Sequence, residues 1–178
     1  IDNLREKYKY KLSHDDKDFD KYLETINRQI KDIEKLVNEF SNFARMPQPI
    51  LKKIDIIKLI NKSLDFIRLT SKNSINLIKK TNFKFINGDE DQLNRVFINL
   101  IKNSEESFLE KSKKKPNFIG NIDIEINDNN DYIIIKIIDN GGGIIDTKKA
   151  MTPYFTTKKT GTGLGLPIVT KIINEHSG

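Results

Sequence analysis

The clearest apolar pattern of this 178-residue chain lies near its N-terminus and has the period of an α-helix. Between Phe19 and Arg45 the apolar positions alternate spacings of three and four. A further apolar line recurs at every seventh position, at Leu23, Ile30, Val37 and Ala44. So broad a stripe is typical of a helix in a bundle. We therefore predict a helix over 19–45 that forms a dimeric four-helix bundle, with Gln29 fixing the register. The alternative is that this helix packs against its own domain.

Two prolines, Pro47 and Pro49, end this pattern, because proline lacks the N–H donor and restricts the residue before it. Helices and short strands are predicted beyond them, with Asp55 and Asp89 as helix N-caps. The predicted helices span 56–69, 89–110 and 164–173, and the predicted strands span 50–54, 74–79, 82–86, 122–126 and 132–138, the last of them buried. Mostly antiparallel strands, hairpins included, then predict an α+β sandwich in which helices cover one face of one sheet.

The pattern divides the chain into two parts joined by a short linker. Residues 1–46 are predicted to form part of a helical hairpin, whose turn lies at 13–18. Residues 47–49 are the linker, and residues 50–178 are the second domain. Because the chain begins at Ile1 without a methionine, we expect it to be a fragment of a longer protein.

Charge and composition exclude several classes of function. The net charge is +6, but lysines are scattered beside 25 acidic residues. The densest basic cluster, Lys111–Lys115, is interpreted as a solvated helix end, since no aromatic residues interleave to stack on nucleic-acid bases. The chain has no cysteine for a disulfide or a thiolate metal site. No apolar run approaches the roughly 20 residues of a membrane span, so we expect no membrane contact.

Two glycine clusters indicate a nucleotide site. Asp139 closes an apolar run and is followed by three glycines, which gives one fixed acceptor beside backbone that a ligand can approach closely. The second cluster, at 161–166, opens a helix whose N-terminal N–H groups favour an anion. The chain contains neither a P-loop nor a G-x-G-x-x-G motif. The alternative for each cluster is an ordinary turn.

Polar side chains on the predicted helix 89–110 could form another wall of this site. Asn99 and Asn103 are four residues apart and Glu106 is three further on, so all three share one face. An amide oxygen is a suitable ligand for Mg²⁺, which takes the rest of its shell from phosphates and water. Asn103 or Asn99 is therefore a candidate metal ligand near a triphosphate. The alternative is a solvated polar face.

Four motifs in order resemble those of the sensor histidine kinases of two-component systems. They are the N box QLNRVFINLIKNSEES (92–107), the first glycine box DNGGGI (139–144), the lid end PYFTTK (153–158) and the second glycine box GTGLGL (161–166). Residues 27–49, which include EFSNFARMPQP, further resemble the second dimerisation helix of the nitrogen-regulation, NtrY-like branch. The resemblance implies a histidine-kinase/GHKL ATPase (Bergerat) fold whose last strands are missing here.

The resemblance also implies a role for each matching residue. Asn103 would bind Mg²⁺ with Asn99 beside the phosphates, and Asp139 would accept a hydrogen bond from the amino group of adenine. Catalytic roles fall to Asn99, Asn103 and Lys158, and a movable lid spans 144–160. The implied ATP-binding residues are Asn99, Asn103, Glu106, Asp139, Gly141, Gly143, Ile144, Thr157, Lys158, Gly161, Thr162, Gly163, Leu164 and Gly165.

The family's phosphoacceptor histidine has no match in this chain. His14 lies in the predicted turn without the surrounding pattern, and His176 is interpreted as a surface residue at a helix end. Ser104 and Pro167 depart from the alanines common at those positions, but neither removes a ligand. The implied activity is transfer of the ATP γ-phosphate to a histidine and then to an aspartate of a response-regulator receiver domain, although this fragment should not phosphorylate itself.

Two alternatives remain, together with an expected location. A related ATPase would use a glutamate near Asn99 to activate water, and the asparagine itself argues against hydrolysis. A dimerising module with an inactive nucleotide pocket is the other. As part of a sensor kinase, the chain is expected to be a cytoplasmic portion of a protein that is anchored upstream.

Overall fold

The computed structural model describes residues 17–129, 131–158 and 161–178. The chain divides into two compact units. The first takes in the chain up to Met46 together with Lys158–Thr162, and the second comprises Pro47–Thr157 and Gly163–Gly178. No helix in the described part of the chain has both the length and the apolar content that crossing a membrane requires.

The first unit contains one long helix, α1 (Lys17–Ala44), which confirms the predicted helix. It begins two residues before the predicted start, so the last part of the predicted turn belongs to the helix; the rest of that turn, with His14, lies outside the described residues. Much of its apolar stripe faces outward. The exposed apolar side chains of α1 are Tyr22, Ile26, Ile30, Ile33, Leu36, Val37 and Phe40.

The second unit has helices and strands close to the predicted ranges. In chain order they are β1 (Lys52–Asp55), α2 (Ile56–Thr70), β2 (Ser74–Lys79), β3 (Phe85–Gly88), α3 (Glu90–Lys114), β4 (Asn121–Asn129), β5 (Tyr132–Asp139), α4 (Thr147–Ala150) and α5 (Gly165–Glu175). Both predicted N-caps are confirmed. Asp55 accepts hydrogen bonds from the N–H groups of Ile57 and Lys58, each 3.1 Å long, and Asp89 caps α3 in the same way.

The prediction of one sheet is wrong, because the described strands form two. β1 pairs with β3 antiparallel, whereas β2 pairs with β4 parallel and β4 pairs with β5 antiparallel in a hairpin. The two strands predicted at 74–79 and 82–86 are not paired with each other. Thr81 accepts a hydrogen bond from the N–H of Phe83 and turns the chain away after β2. The connection from β2 to β4, which includes β3 and α3, is long enough for the two strands to pair in parallel.

Helices cover one face of the larger sheet, as predicted. On β4, Ile122, Ile124 and Ile126 are fully buried and alternate with polar residues on the other face. On β5 only alternate residues are half-buried, and Ile138 is 49% exposed. The prediction of a buried strand at 132–138 is therefore wrong, because β5 has helices on one face only. The remaining core side chains include Ile60, Leu64, Val96, Phe97, Ile101, Leu164, Ile168 and Ile172.

The N-cap of α3 also holds the residues that follow the first unit. One oxygen of Asp89 accepts from the N–H of Ile50 at 2.8 Å, and Gln92 donates to the carbonyl of Pro47 at 2.9 Å. The N–H of Asp89 donates to Nε2 of His176 at 2.9 Å. His176 is the C-cap of α5, so its predicted place at a helix end is confirmed, but its side chain is half-buried by these contacts. Its other ring nitrogen lies 2.8 Å from the carbonyl of Ile172.

These contacts predict an acid dependence of stability. Partial burial alone would raise the pKa of Asp89, but hydrogen bonds from the N–H groups of Ile50, Gln92 and Asp91 outweigh it and hold the pKa below its ordinary value. The folded-state pKa of Asp89 is lower than its pKa in the unfolded chain. The contribution of the ionised carboxylate to the free energy of unfolding is therefore complete above about pH 4, and it is lost as the pH falls through the folded-state pKa. We expect Asp89→Asn to lose less stability than the wild type between neutral pH and about pH 3.

Urea unfolding at both pH values measures this difference. Asp91→Asn is the matched control, because it changes the same helical turn without removing the capping side chain. Equal acid sensitivity in the wild type and Asp89→Asn would contradict the assignment.

Candidate functional site

The two asparagines predicted as a metal and phosphate site lie beside the start of α5. Asn99 and Asn103 are half-buried on α3, and the amide of Asn99 donates to the carbonyl of Arg95 at 2.9 Å. A Cβ added to Gly165 would lie 3.4 Å from Oδ1 of Asn99 and 3.9 Å from both polar atoms of the Asn103 amide. These distances are ordinary van der Waals contact, so the backbone at position 165 lies directly beside both amides. The structure therefore brings Asn99, Asn103 and Gly165 together.

The start of α5 can receive an anion through its backbone. Leu164 is the N-cap, and its side chain is fully buried and makes no capping hydrogen bond. The first N–H groups of a helix need partners outside the helix, and the helix dipole favours a negative one. Of the predicted ligand residues, Leu164 can thus contribute only its backbone.

The first glycine cluster forms a turn at the end of β5, and Asp139 lies there with an exposed side chain. Its Oδ1 accepts from the N–H of Gly141 at 2.8 Å, and its Oδ2 accepts from the hydroxyl of Ser104 at 3.2 Å. Gly143 has a φ of +73°, in the region that favours glycine. The carboxylate is therefore fixed in direction and open to a ligand.

Three residues that contact this turn were not predicted as site residues. Ser104 binds Asp139, Ser107 accepts from the N–H of Gly142 at 2.7 Å, and Lys111 donates to the carbonyl of Gly141 at 3.0 Å and to that of Asn140. The predicted helix end is confirmed for the lysine cluster, since Lys111 lies in the last turn of α3 and residues 113–115 are exposed, but the contact of Lys111 with this turn was not predicted. The signal in the sequence was their spacing of three and four, which places them along one side of a helix.

Gly141 is required by the packing of this turn. An added Cβ would lie 2.3 Å from Oγ of Ser107 and 2.7 Å from Oδ1 of Asp139. We expect Gly141→Ala to lower the free energy of unfolding by about 2 kcal/mol, because the serine must move and leave a backbone N–H without its partner. Urea unfolding measures the change. Gly142→Ala is the control, since its Cβ would meet nothing closer than 3.7 Å; equal losses for both variants would contradict the assignment.

The second glycine cluster is divided between the two units. In the second unit, the carbonyl of Gly163 accepts from the N–H of Tyr154 at 3.0 Å, and both residues have positive φ. In the first unit, Thr162 donates to the carboxylate of Glu39 on α1. Because Lys158 and Gly161 also lie in the first unit, the structure does not describe them beside Asn99 and Asn103. Their nucleotide roles, and that of Thr162, stay predictions.

The remaining predicted lid residues are open to solvent. Ile144 is 55% exposed and Thr157 is exposed as well. The short helix α4 was not predicted. Asp146 caps its N-terminus by accepting a hydrogen bond from the N–H of Lys149 at 3.0 Å. Glu106 is half-buried on α3, three residues beyond Asn103.

The described residues contain no cluster of three or more histidine, cysteine, aspartate or glutamate side chains that could hold a metal ion by themselves. Asn103 and Glu106 offer one amide and one carboxylate oxygen from one helix. That set suits Mg²⁺, which keeps several waters and shares phosphate oxygens. A hollow of about 540 Å³ lies elsewhere, between α2 and α3, and includes none of the predicted site residues. An exposed site, such as the one around Asp139, need not form a closed cavity.

Comparison with known protein families gives the class of this chain. Residues 88–178, just over half of the chain, match the family described as histidine kinase-, DNA gyrase B- and HSP90-like ATPase. The chain belongs to that family, and this part of it is the family's catalytic ATPase domain.

The individual relatives that this chain is similar to include a sensor histidine kinase. The chain is 37% identical over 164 residues to a putative NtrY-like sensor histidine kinase of Rickettsia bellii, covering 90% of this chain and 26% of that protein. It is 32% identical over 179 residues to the nitrogen regulation protein NtrY of Azorhizobium caulinodans, covering 99% of this chain and 23% of that protein. The chain thus spans about a quarter of the length of the curated relatives it matches.

A solved structure has the same fold. The histidine kinase ThkA, in complex with the response regulator protein TrrA, superposes with a TM-score of 0.70 at 19% identity. The match covers 99% of this chain and 50% of that one. This likeness and the family match confirm the predicted fold class.

Proposed function

We propose that the second unit binds ATP and Mg²⁺ and is the catalytic part of a sensor histidine kinase. The observation that carries the proposal is the arrangement around α3. Asn103 lies beside the start of α5, and Ser104, the next residue, binds the carboxylate of Asp139. A carboxylate that can bind a nucleotide base and groups that can bind phosphates thus contact neighbouring residues of one helix. Family membership identifies the nucleotide as ATP.

In this proposal each group has one task. Asp139 accepts from the amino group of adenine, and Gly141 and Gly143 let the base and ribose approach. The N–H groups at the start of α5 bind phosphate oxygens, with Asn99 beside them. Asn103, supported by Glu106, holds Mg²⁺, which would neutralise charge on the phosphates. Ile144, Thr157 and Lys158 belong to the proposed lid over 144–160. The residues that would close the lid and bind phosphates are Lys158, Gly161, Thr162, Gly163, Leu164 and Gly165.

The proposed reaction is phosphoryl transfer to a histidine. The imidazole nitrogen attacks the γ-phosphorus in line, a P–N bond forms, the bond to the β-phosphate oxygen breaks and ADP leaves. Positioning and electrostatics supply most of such catalysis, so the nucleophile can come from another element. The phosphoryl group would then pass to an aspartate of a receiver domain. ThkA, which has this fold, was solved with such a regulator.

The proposed domain organisation follows the predicted one. Residues 1–46 are a partial dimerisation and phosphotransfer hairpin, 47–49 a linker and 50–178 the catalytic domain. The exposed stripe of α1 supports a homodimer through 19–45, because Ile33 is 60% and Val37 53% exposed. A second copy of the helix would cover both side chains.

Phosphoryl transfer in trans tests the kinase function. This chain is mixed with [γ-³²P]ATP, Mg²⁺ and a dimerisation hairpin that carries the family's phosphoacceptor histidine. We expect acid-labile label on that histidine. The controls are a hairpin with glutamine in place of the histidine and this chain with Asn103→Ala. Bound nucleotide without labelled histidine would contradict the kinase proposal, and released phosphate alone would indicate an ATPase.

A further inference from the structure

One side of α3 contacts each residue of the turn from Asp139 to Gly142. We call Ser104, Ser107 and Lys111 the anchoring line. Ser104 donates to Asp139, Ser107 accepts from Gly142, and Lys111 donates to the carbonyls between them. The ammonium of Lys111 also lies 4.7 Å from the ring centre of Phe118, which limits its freedom. The anchoring line adjoins the face of the asparagines, since Ser107 lies one helical turn beyond Asn103.

The turn needs such support because of its composition. Three consecutive glycines have more backbone freedom than any other residues, and ordering them on ligand binding would cost free energy. A turn that is already fixed avoids that cost, so its ligand binds more tightly. Contacts along the turn from one rigid helix provide this pre-organisation.

Ser104 does more than hold the backbone, because it fixes the carboxylate itself. Each oxygen of Asp139 has a donor within hydrogen-bond distance. The N–H of Gly141 lies 2.8 Å from Oδ1, and the hydroxyl of Ser104 lies 3.2 Å from Oδ2, with the carbonyl of Leu100 at 3.3 Å as a second acceptor for the same proton. The plane of the carboxylate is therefore set. Each oxygen keeps acceptor capacity in a defined direction. A donor on a ligand must approach along that direction.

We propose that Ser104, supported by Ser107 and Lys111, is a specificity-determining positioning residue for the nucleobase. It orients Asp139 toward a purine that carries an exocyclic amino group at position 6. This inference rests on the proposed ATP binding at Asp139. It goes beyond it by assigning base selectivity to hydroxyl groups that touch the aspartate and its turn.

The test compares two nucleotides that differ only in this amino group. Wild type and Ser104→Ala are titrated with ATP and with purine riboside triphosphate, which has hydrogen in place of the amino group. Losing the donor that orients a charged acceptor should weaken ATP binding about tenfold. The affinity for the nucleotide without the amino group should fall less than about twofold, since Asp139 then receives no hydrogen bond from the base.

Matched variants separate this role from a purely structural one. Ser112→Ala makes the same chemical change on the same helix, where the hydroxyl donates only to the carbonyl of Leu109, and should change neither affinity. Ser107→Ala should also weaken the binding of ATP more than that of the nucleotide without the amino group, but by a smaller factor than Ser104→Ala. Thermal unfolding of each unliganded variant verifies that it is folded.

Two results would overturn the inference while leaving ATP binding intact. One is an equal loss for both nucleotides in Ser104→Ala, which would show a structural role alone. The other is no loss for either. Failure of the wild type to bind ATP, or ATP binding that does not depend on Asp139, would instead contradict the proposed function and this inference with it.

Discussion

Asp139→Asn is expected to weaken the binding of an ATP analogue about 100-fold, as the loss of a charge-assisted hydrogen bond predicts. Both oxygens of Asp139 face donors, the N–H of Gly141 and the hydroxyl of Ser104. An asparagine has one acceptor oxygen, so its NH₂ group must face one of these donors or the amino group of adenine. The substitution therefore removes the negative charge and the acceptor geometry together.

Isothermal titration measures this effect, and Asp123→Asn is its matched control. Asp123 lies on β4, in the same sheet, and accepts a hydrogen bond from Asn76 at 2.8 Å on the face that the helices leave open. That hydrogen bond is the main cause that lowers the pKa of Asp123. The control variant should bind the analogue as the wild type does. An affinity of Asp139→Asn within about twofold of the wild type would contradict the assigned role.

Gly163→Ala is expected to lower the free energy of unfolding by about 3 kcal/mol, from backbone strain and overlap together. The residue has a φ of +69°, and an added Cβ would lie 2.5 Å from the carbonyl carbon of Tyr154 and 2.7 Å from the backbone nitrogen of Phe155. These are main-chain atoms, so no side-chain rotation relieves the contact. The variant should also lose the hydrogen bond between Tyr154 and Gly163.

Gly143→Ala separates strain from overlap in the same urea-unfolding experiment. Gly143 has a similar φ of +73°, but an added Cβ would meet nothing within 4 Å. The free energy of unfolding of Gly143→Ala should therefore fall only by the cost of positive φ, about 1 kcal/mol. Equal losses in the two variants would show that packing against Tyr154 and Phe155 does not require glycine at position 163.

Local patterns predicted the elements well because the forces that set them are local. Asp55 and Asp89 cap their helices through N–H groups two and three residues away, so sequence alone reveals them. The hairpin of β4 and β5 likewise joins neighbours along the chain. The pairing of β2 with β4 depends instead on where α3 returns the chain. No periodicity within either strand encodes that choice.

The candidate site was predicted in part, for the same reason. Spacing identified the face of Asn99 and Asn103, and the glycines marked the turn after Asp139. Ser104 and Lys111 were missed because their partners lie about thirty residues away in sequence. Whether a polar helical residue faces water or a distant turn is decided by packing. For Lys111, the cluster of lysines predicted the helix end correctly but did not reveal the contact with the turn.

The most direct test of ATP binding is titration of the wild-type chain with a non-hydrolysable ATP analogue, with Mg²⁺ or with a chelator. We expect saturable binding at one site per chain. The affinity should be at least about tenfold higher with Mg²⁺ than with the chelator, and at least about tenfold higher than for the matching guanine nucleotide. No binding, or equal affinity for the adenine and guanine nucleotides, would contradict it.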